Sequence, residues 1–155
     1  MRVGQGFDAH RFDATRPLVI GGVEIEGHAG LSGHSDADVL SHAIADALLG
    51  AAGLGDLGER FPGNDRWKDA SSLDILSETA HLLHEAGFDI VNVDSTVIAE
   101  APRLADHKAE MVDRIASALG VDPAVVSVKA TTTDGLGATG RREGIAATAV
   151  ALITS

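Results

Sequence analysis

Two spacings of apolar residues succeed one another along this chain, and each predicts a different element. Residues 2–12 read as a strand interrupted by Gly4 and Gly6, which in a strand mark close backbone approach or a bulge. Leu18-Val19-Ile20 and Val23-Glu24-Ile25 flank Gly21-Gly22, the pattern of a short hairpin with a two-glycine turn. From Asp36 to Ala52 the apolar residues Val39, Leu40, Ala43, Ile44, Ala47 and Leu48 recur at helical spacing and predict an amphipathic helix. Asp38, His42 and Asp46 fall on a separate polar stripe of that helix. Stacked four residues apart, either carboxylate can orient the imidazole.

Gly53–Ala70, rich in Gly, Asp and Pro, reads as a long irregular connection. A second helix is predicted over Ser71–Ala86, capped by Ser71 with Asp74 three residues on and stopped by Gly87. Asp89–Ala99 alternates and is β-branched, hence a strand. Pro102 suits the first turn of a third helix that ends at Leu119 before Gly120. Val125–Thr132 and Ile145–Ile153 close the chain as strands, joined by a glycine-rich loop. The order strand, hairpin, helix, helix, strand, helix, strand, strand predicts an α+β fold. It is a β-α-β-α-β-β sandwich with a mixed β-sheet and helices on one face, plus an N-terminal β-hairpin.

Length and composition narrow the possibilities. The 155 residues suffice for one domain, 1–155, that buries about 70% of its unfolded surface. No repeat or linker divides it. With no cysteine, disulfides, thiolate ligands and a cysteine nucleophile are excluded, and any zinc must use nitrogen and oxygen donors. That composition, with no span-length apolar stretch and no signal-like N-terminus, points to a cytoplasmic protein without membrane contact. Twelve basic against 23 acidic residues give a formal charge of −11, which argues against nucleic acid as a partner. A small anionic substrate therefore needs local positive devices such as bound cations, helix N-termini or placed Arg and Lys. One Trp, four Phe and no Tyr, with one sheet face uncovered, favour association into an oligomer.

The most informative side chains are Asp8, His10 and His42. Two apart on a strand, Asp8 and His10 project to one face. His42 completes two imidazoles and one carboxylate, the count that leaves zinc a fourth position open to a substrate atom. One Asp and two His also arise by scatter, but the string HSDADVLSHAIADALLGAAGLGDLG keeps six ionisable residues around one helix. His34-Ser35 precedes that helix, where free N–H groups favour an anion. Ser35 or Asp36 as an ordinary N-cap is the alternative. Thr131-Thr132-Thr133-Asp134, after Lys129 and before Arg141-Arg142, suits a diphosphate, with Asp134 a candidate Mg²⁺ ligand. Three threonines are also ordinary strand formers. Asp56-Leu57-Gly58 and Phe61-Pro62-Gly63-Asn64-Asp65 either clamp a polyol or form turns. His28, His81, His84 and His107 read as surface or packing residues.

Taken together, G-x-G-x-D-x-H-x-F at Gly4–Phe12, HSDADV at His34–Val39, His42, DLG at Asp56–Gly58, AEAPR at Ala99–Arg103 and KATTTD at Lys129–Asp134 resemble one family. It is the 2-C-methyl-D-erythritol 2,4-cyclodiphosphate synthase family of the non-mevalonate isoprenoid pathway. The resemblance implies conversion of 4-diphosphocytidyl-2-C-methyl-D-erythritol 2-phosphate into the cyclic diphosphate with release of CMP, by a homotrimer with sites between subunits. It makes Asp8, His10 and His42 ligands of zinc or another divalent transition metal at the substrate, and puts His34, Ser35 and Asp56 to Gly58 on the substrate. It gives the cytidine pocket to Ala99, Glu100, Ala101, Pro102, Arg103, Leu104 and Ala105, and Ala138 and Arg141 are expected among the substrate-binding residues. Thr131, Thr132, Thr133 and Asp134 then hold the phosphates and a second ion, Mg²⁺ or Mn²⁺, while His34 and Thr132 donate hydrogen bonds in the transition state. Three positions depart from the family pattern: Asp134 stands where Glu is common, Ala138 replaces a commonly aromatic residue, and Arg142 replaces a Gly. These changes bear on any isoprenoid channel along the trimer axis. The other readings of the same residues are a zinc-dependent phosphohydrolase and a non-catalytic trimeric nucleotide-binding module.

Overall fold

The computed structural model describes residues 1–64 and 66–155. Strands β1 (Arg2–Asp13), β4 (Gly30–Leu31), β5 (Asp89–Ile98), β6 (Val126–Thr131) and β7 (Gly144–Thr154) form one sheet in the order β4-β1-β7-β5-β6. Only β5 and β6 run parallel, so the sheet is mixed. Strands β2 (Leu18–Ile20) and β3 (Val23–Ile25) form the separate hairpin, turning at Gly21-Gly22 with both φ angles positive. Helices α1 (Val39–Ala52), α3 (Ser72–Glu85) and α4 (Lys108–Leu119) cover one side, and α2 (Leu57–Arg60) and α5 (Gly137–Gly140) are single turns.

The two glycines of β1 set the spacing of the layers. A Cβ at Gly4 would lie 1.9 Å from the Ala47 carbonyl oxygen, and one at Gly6 would lie 1.9 Å from that of Ala43. Strand and helix backbones therefore touch, with Ala43, Ala47 and Ala51 supplying the small side chains. Two strand residues advance about 6.6 Å and four helical residues about 6 Å, so the two antiparallel elements stay in step. Continuing past Gly6, the strand delivers Asp8 to the first turns of α1. Nearly all of α1 is buried as a result, including His42.

Asp38 caps α1 and is wholly buried. Its two carboxylate oxygens accept from the amides of Gly21 (2.9 Å), Gly22 (2.8 Å) and Ser41 (3.0 Å), and from the hydroxyls of Ser41 (2.9 Å) and Ser72 (2.7 Å). Five donors compensate the cost of burying the charge and tie the hairpin, α1 and α3 together.

Several boundaries depart from the sequence pattern. Helix α1 starts at Val39, not Asp36, because Ser35 (φ 52°) and Ala37 (φ 54°) are left-handed, so the N-cap is Asp38 and neither Ser35 nor Asp36. Pro102 lies outside the third helix, which begins at Lys108 after a 3₁₀ turn at Ala105–His107. The preceding stretch is spent crossing the end of the sheet, where the Ala99 amide donates to the Thr131 carbonyl and Leu104 turns into the core. The irregular connection contains α2, capped by Asp56, and the last loop contains α5. The short strand β4, which the pattern did not mark, pairs with the end of β1.

The opposite face of β1 and β7 carries Val3, Phe7 and Val150 at 67%, 59% and 46% exposure. Gly6→Ala is expected to destabilise by about 3 kcal/mol or more, because its Cβ meets backbone. Gly50→Ala, where a Cβ meets nothing within 4 Å, is expected to add up to about 1 kcal/mol. Urea titrations of both variants at one protein concentration check the pair.

Candidate metal centre and active site

At the end of the glycine-spaced stretch, Asp8, His10 and His42 converge. Asp8 Oδ2 lies 2.9 Å from His10 Nε2 and 3.2 Å from His42 Nδ1, and one donor atom from each residue falls within 4.8 Å of the others. The imidazoles meet edge to face, centroids 6.0 Å apart. Zinc–ligand bonds of 2.0–2.2 Å set tetrahedral donor atoms roughly 3.3 Å apart, so a small motion outward from these positions admits the ion. Both the donor set and the spacing fit.

The outer nitrogen of His42 has its own partner. Ser35 Oγ lies 3.2 Å from Nε2, so Nδ1 is the nitrogen that faces Asp8. The carboxylates of the helical stripe, Asp38 and Asp46, do not hydrogen-bond to the imidazole as the sequence spacing suggests. Asp38 is saturated by the hairpin and α3, and Asp46 accepts from the Leu57 amide at 3.1 Å, fixing α2 beside the site. The Asp38 carboxylate acts on the His42 imidazole through its charge.

Ionisation follows from these contacts. Burial alone would raise the Asp8 pKa, but hydrogen bonds from His10 and His42, with their charges, hold it well below the usual 3.8. Burial would lower His42, and the Asp8 hydrogen bond with the charges of Asp38, Asp8 and Asp36 outweighs it and raises the pKa above 6.5. Asp36 is raised by burial and by Asp38, against the Ser72 amide that donates to it.

A cleft of about 400 Å³ opens beside the three ligands, lined by Phe7, Asp8, His42, Asp46, Asp56, Leu57 and Gly58. Phe7 and Asp46 had no sequence signal as lining residues beyond their nearness to Asp8 and His42. Asp56 caps α2 through the Glu59 amide at 2.9 Å. His34 is exposed, its ring against Gly63, where a Cβ would come within 2.6 Å. Phe61 is buried and packs edge to face against Trp67, ring centroids 4.8 Å apart. Pro62, Gly63 and Asn64 are exposed, and Asp65 lies outside the described residues.

The threonine loop lies at another edge. A second cleft, about 200 Å³, is lined by Ala99, Glu100, Pro102, Arg103, Leu104 and Ala105 with Lys108, Ala130, Thr131 and Thr132, while Ala101 lies between two of its lining residues. Lys108 is the cation the sequence reading missed; helical position alone gave it no distinction. Glu100 is committed inward, accepting from the amides of Thr133 (3.1 Å) and Gly135 (3.2 Å). Thr133 is spent on the loop too, donating to the Leu136 carbonyl at 2.6 Å. Thr131, Thr132 and Asp134 are exposed. Lys129 pairs with Asp94 and Arg141 with Glu143, each at 2.8 Å, so neither cation is free for phosphate without giving up a carboxylate. Ala138 lines a third cleft with Ala9, His10 and Glu143. Among the described residues, the metal-side and Thr132-side clefts share no lining residue.

Comparison with known proteins agrees along the whole chain. The YgbB family model matches residues 1–154. The 2-C-methyl-D-erythritol 2,4-cyclodiphosphate synthase of Desulfosudis oleivorans is 58% identical over 154 residues, covering 99% of this chain and 92% of that protein. That of Syntrophomonas wolfei is also 58% identical, covering 99% and 98%. Among solved structures, the bifunctional IspDF of Campylobacter jejuni superposes with a TM-score of 0.94 at 44% identity, over 98% of this chain and 42% of that one. The CDP complex of Plasmodium falciparum IspF gives 0.85 at 34% identity, over 98% and 94%.

The paired shifts carry a pH signature. Stability from the depressed Asp8 is present above pH about 4 and lost as pH falls through its folded value. Stability from the raised His42 is complete below pH about 6.5 and lost as pH rises through its folded value. Metal must displace the His42 proton, so the melting-temperature gain on adding zinc to chelator-treated protein is expected to be larger at pH 8 than at pH 6. Differential scanning fluorimetry at both pH values reads this.

Proposed function

The chain belongs to the YgbB family, and on that footing we propose how it converts 4-diphosphocytidyl-2-C-methyl-D-erythritol 2-phosphate into 2-C-methyl-D-erythritol 2,4-cyclodiphosphate and CMP. The observation that carries the reading is the convergence of Asp8, His10 and His42 beside a cleft, in a chain similar over its full length to these synthases.

An oxygen of the 2-phosphate attacks the β-phosphorus; the bond from that phosphorus to the bridging oxygen breaks, and the pair leaves with CMP. The attacking phosphate has a second pKa near 6 and is already ionised near neutral pH, so no strong general base is required. What the protein must supply is alignment and charge compensation. Asp8, His10 and His42 would hold zinc or another divalent transition metal, and Asp134 would hold Mg²⁺ or Mn²⁺; such ions would supply Lewis-acid neutralisation of the phosphoryl oxygens. His34, exposed and braced on Gly63, and Thr132 donate hydrogen bonds to those oxygens. Asp56 to Gly58 wall the metal-side cleft where the erythritol sits, with Ser35 behind His42, while the 99–105 segment and Lys108 receive the cytidine.

One chain presents the two clefts separately. An assembly that seats the metal side of one copy against the Thr132 side of the next unites them, and the exposed Val3, Phe7 and Val150 give it an apolar face to bury. We assign that assembly as a homotrimer working in the cytoplasm.

Mass spectrometry of the product made from the diphosphocytidyl substrate tests the reaction. Cyclisation yields the cyclic diphosphate, and a product heavier by one water indicates a phosphohydrolase instead. His42→Ala is expected to lower kcat by about a thousandfold or more, and Thr132→Ala by about a hundredfold. Mixed trimers of His42→Ala and Thr132→Ala chains are expected to regain activity, with about one site in four intact. No recovery in the mixture places each site within one chain.

A further inference from the structure

Arg16 stands outside every motif above, in the loop after β1. An Asx turn presents it: the Thr15 amide and hydroxyl donate to Asp13 Oδ1 at 2.9 and 2.6 Å, and the Arg16 amide donates to the Asp13 carbonyl at 3.2 Å. Its own carbonyl accepts from the Gly30 amide at 3.0 Å, and the backbone there is so close that a Cβ on Gly30 would lie 2.3 Å from that oxygen. The base of the side chain is therefore anchored, and the guanidinium reaches across to the loop ahead of α1. There it donates to the carbonyl of Gly33 at 2.7 Å and to that of Ser35.

Those two residues back the two imidazoles. Gly33 lies against the His10 ring, where an added Cβ would stand 2.6 Å from Cε1 and 2.7 Å from Nδ1. Ser35 places its hydroxyl on His42 Nε2 while holding a left-handed φ of 52°, a conformation that a serine keeps only when its surroundings impose it. The Lys68 carbonyl accepts from the Ser35 amide at 3.1 Å on the far side. One planar, five-donor group thus fixes both braces at once, a geometry that a lysine cannot copy.

We propose that Arg16 is a positioning residue for the metal centre. Its guanidinium locks the 33–35 loop so that Gly33 sets the ring plane of His10 and Ser35 sets the tautomer and direction of His42. This deepens the metal-site reading above and rests on it. Partners behind metal-ligating histidines are worth 10–100-fold in affinity, and Arg16 acts one step further out. Arg16→Ala is therefore expected to weaken Co²⁺ binding about tenfold, with altered visible absorption of the cobalt-loaded protein and an unchanged far-ultraviolet circular dichroism spectrum.

Titration of the chelator-treated protein with Co²⁺, followed by visible absorption, tests it across a double-mutant cycle. In a Ser35→Ala background the Arg16→Ala penalty is expected to shrink to about threefold or less. A full tenfold penalty in that background overturns the proposal, as does wild-type affinity and spectrum in Arg16→Ala. Should Arg16→Ala fail to fold, Arg16→Gln, which can reach one carbonyl, is expected to bind Co²⁺ with intermediate affinity, and wild-type affinity there overturns it equally. If the unaltered protein binds no Co²⁺ beyond what His42→Ala binds, the metal-site reading falls and takes this proposal with it. A centre that forms in the unaltered protein and is indifferent to Arg16 sinks the proposal alone.

Discussion

The contact of the β1 backbone with the α1 backbone governs where the candidate metal ligands sit. Because Gly4 and Gly6 have no side chain, the helix settles against the strand at the distance of its own carbonyl oxygens, and the alanines facing it add almost nothing to the gap. At that distance an aspartate one alternation further along the strand is in reach of a histidine in the first turns of the helix, with Oδ2 and Nδ1 3.2 Å apart. A wider layer spacing, the ordinary outcome for leucines and valines on both surfaces, would leave Asp8 and His42 too far apart to share an ion.

A second constraint keeps the helix end from sliding. The buried Asp38 carboxylate collects donors from the hairpin turn, from α1 itself and from α3, so three separate elements meet at one residue four positions before His42. Replacing any of those donors leaves part of a buried charge uncompensated, a cost larger than the net value of one hydrogen bond. Around this fixed point the chain just before α1 is left-handed at Ser35 and Ala37, and the strain is carried where the structure needs a hydroxyl turned back onto an imidazole.

The acidic charge of the chain and its anionic substrate are reconciled locally. Asp38, Asp36 and Asp8 concentrate negative potential on His42, which favours cations at the site, and in the proposed reading those cations would face the phosphates. Arg141 and Lys129 pair with Glu143 and Asp94. In the proposed reading, the cations available to the substrate would be bound metal and, at the second cleft, Lys108 and Arg103.

Much of this was legible in the linear order of residues. Period-two and helical spacings gave the long strands and α3 to within a residue or two, the Gly21-Gly22 hairpin was specified by its turn chemistry, and the glycines of β1 announced a close approach without naming the neighbour. Asp8 and His10 were a pair by strand geometry alone, and His42 joined them as a residue type of the right kind. The partners of these groups were not legible. Helical periodicity put Asp38 and Asp46 beside His42, yet the first is drawn to a hairpin 16 residues upstream and a helix 34 downstream, and the second to α2. Arg16 carried no motif, and the packing of Phe61 on Trp67 had no local signal. Local sequence fixes which backbone conformations and side-chain faces are available, because those depend on neighbours a few residues away. Which buried donor satisfies which acceptor is a competition among groups distant in the chain, and only the packed structure, where each polar atom must find a partner or pay for lacking one, decides it.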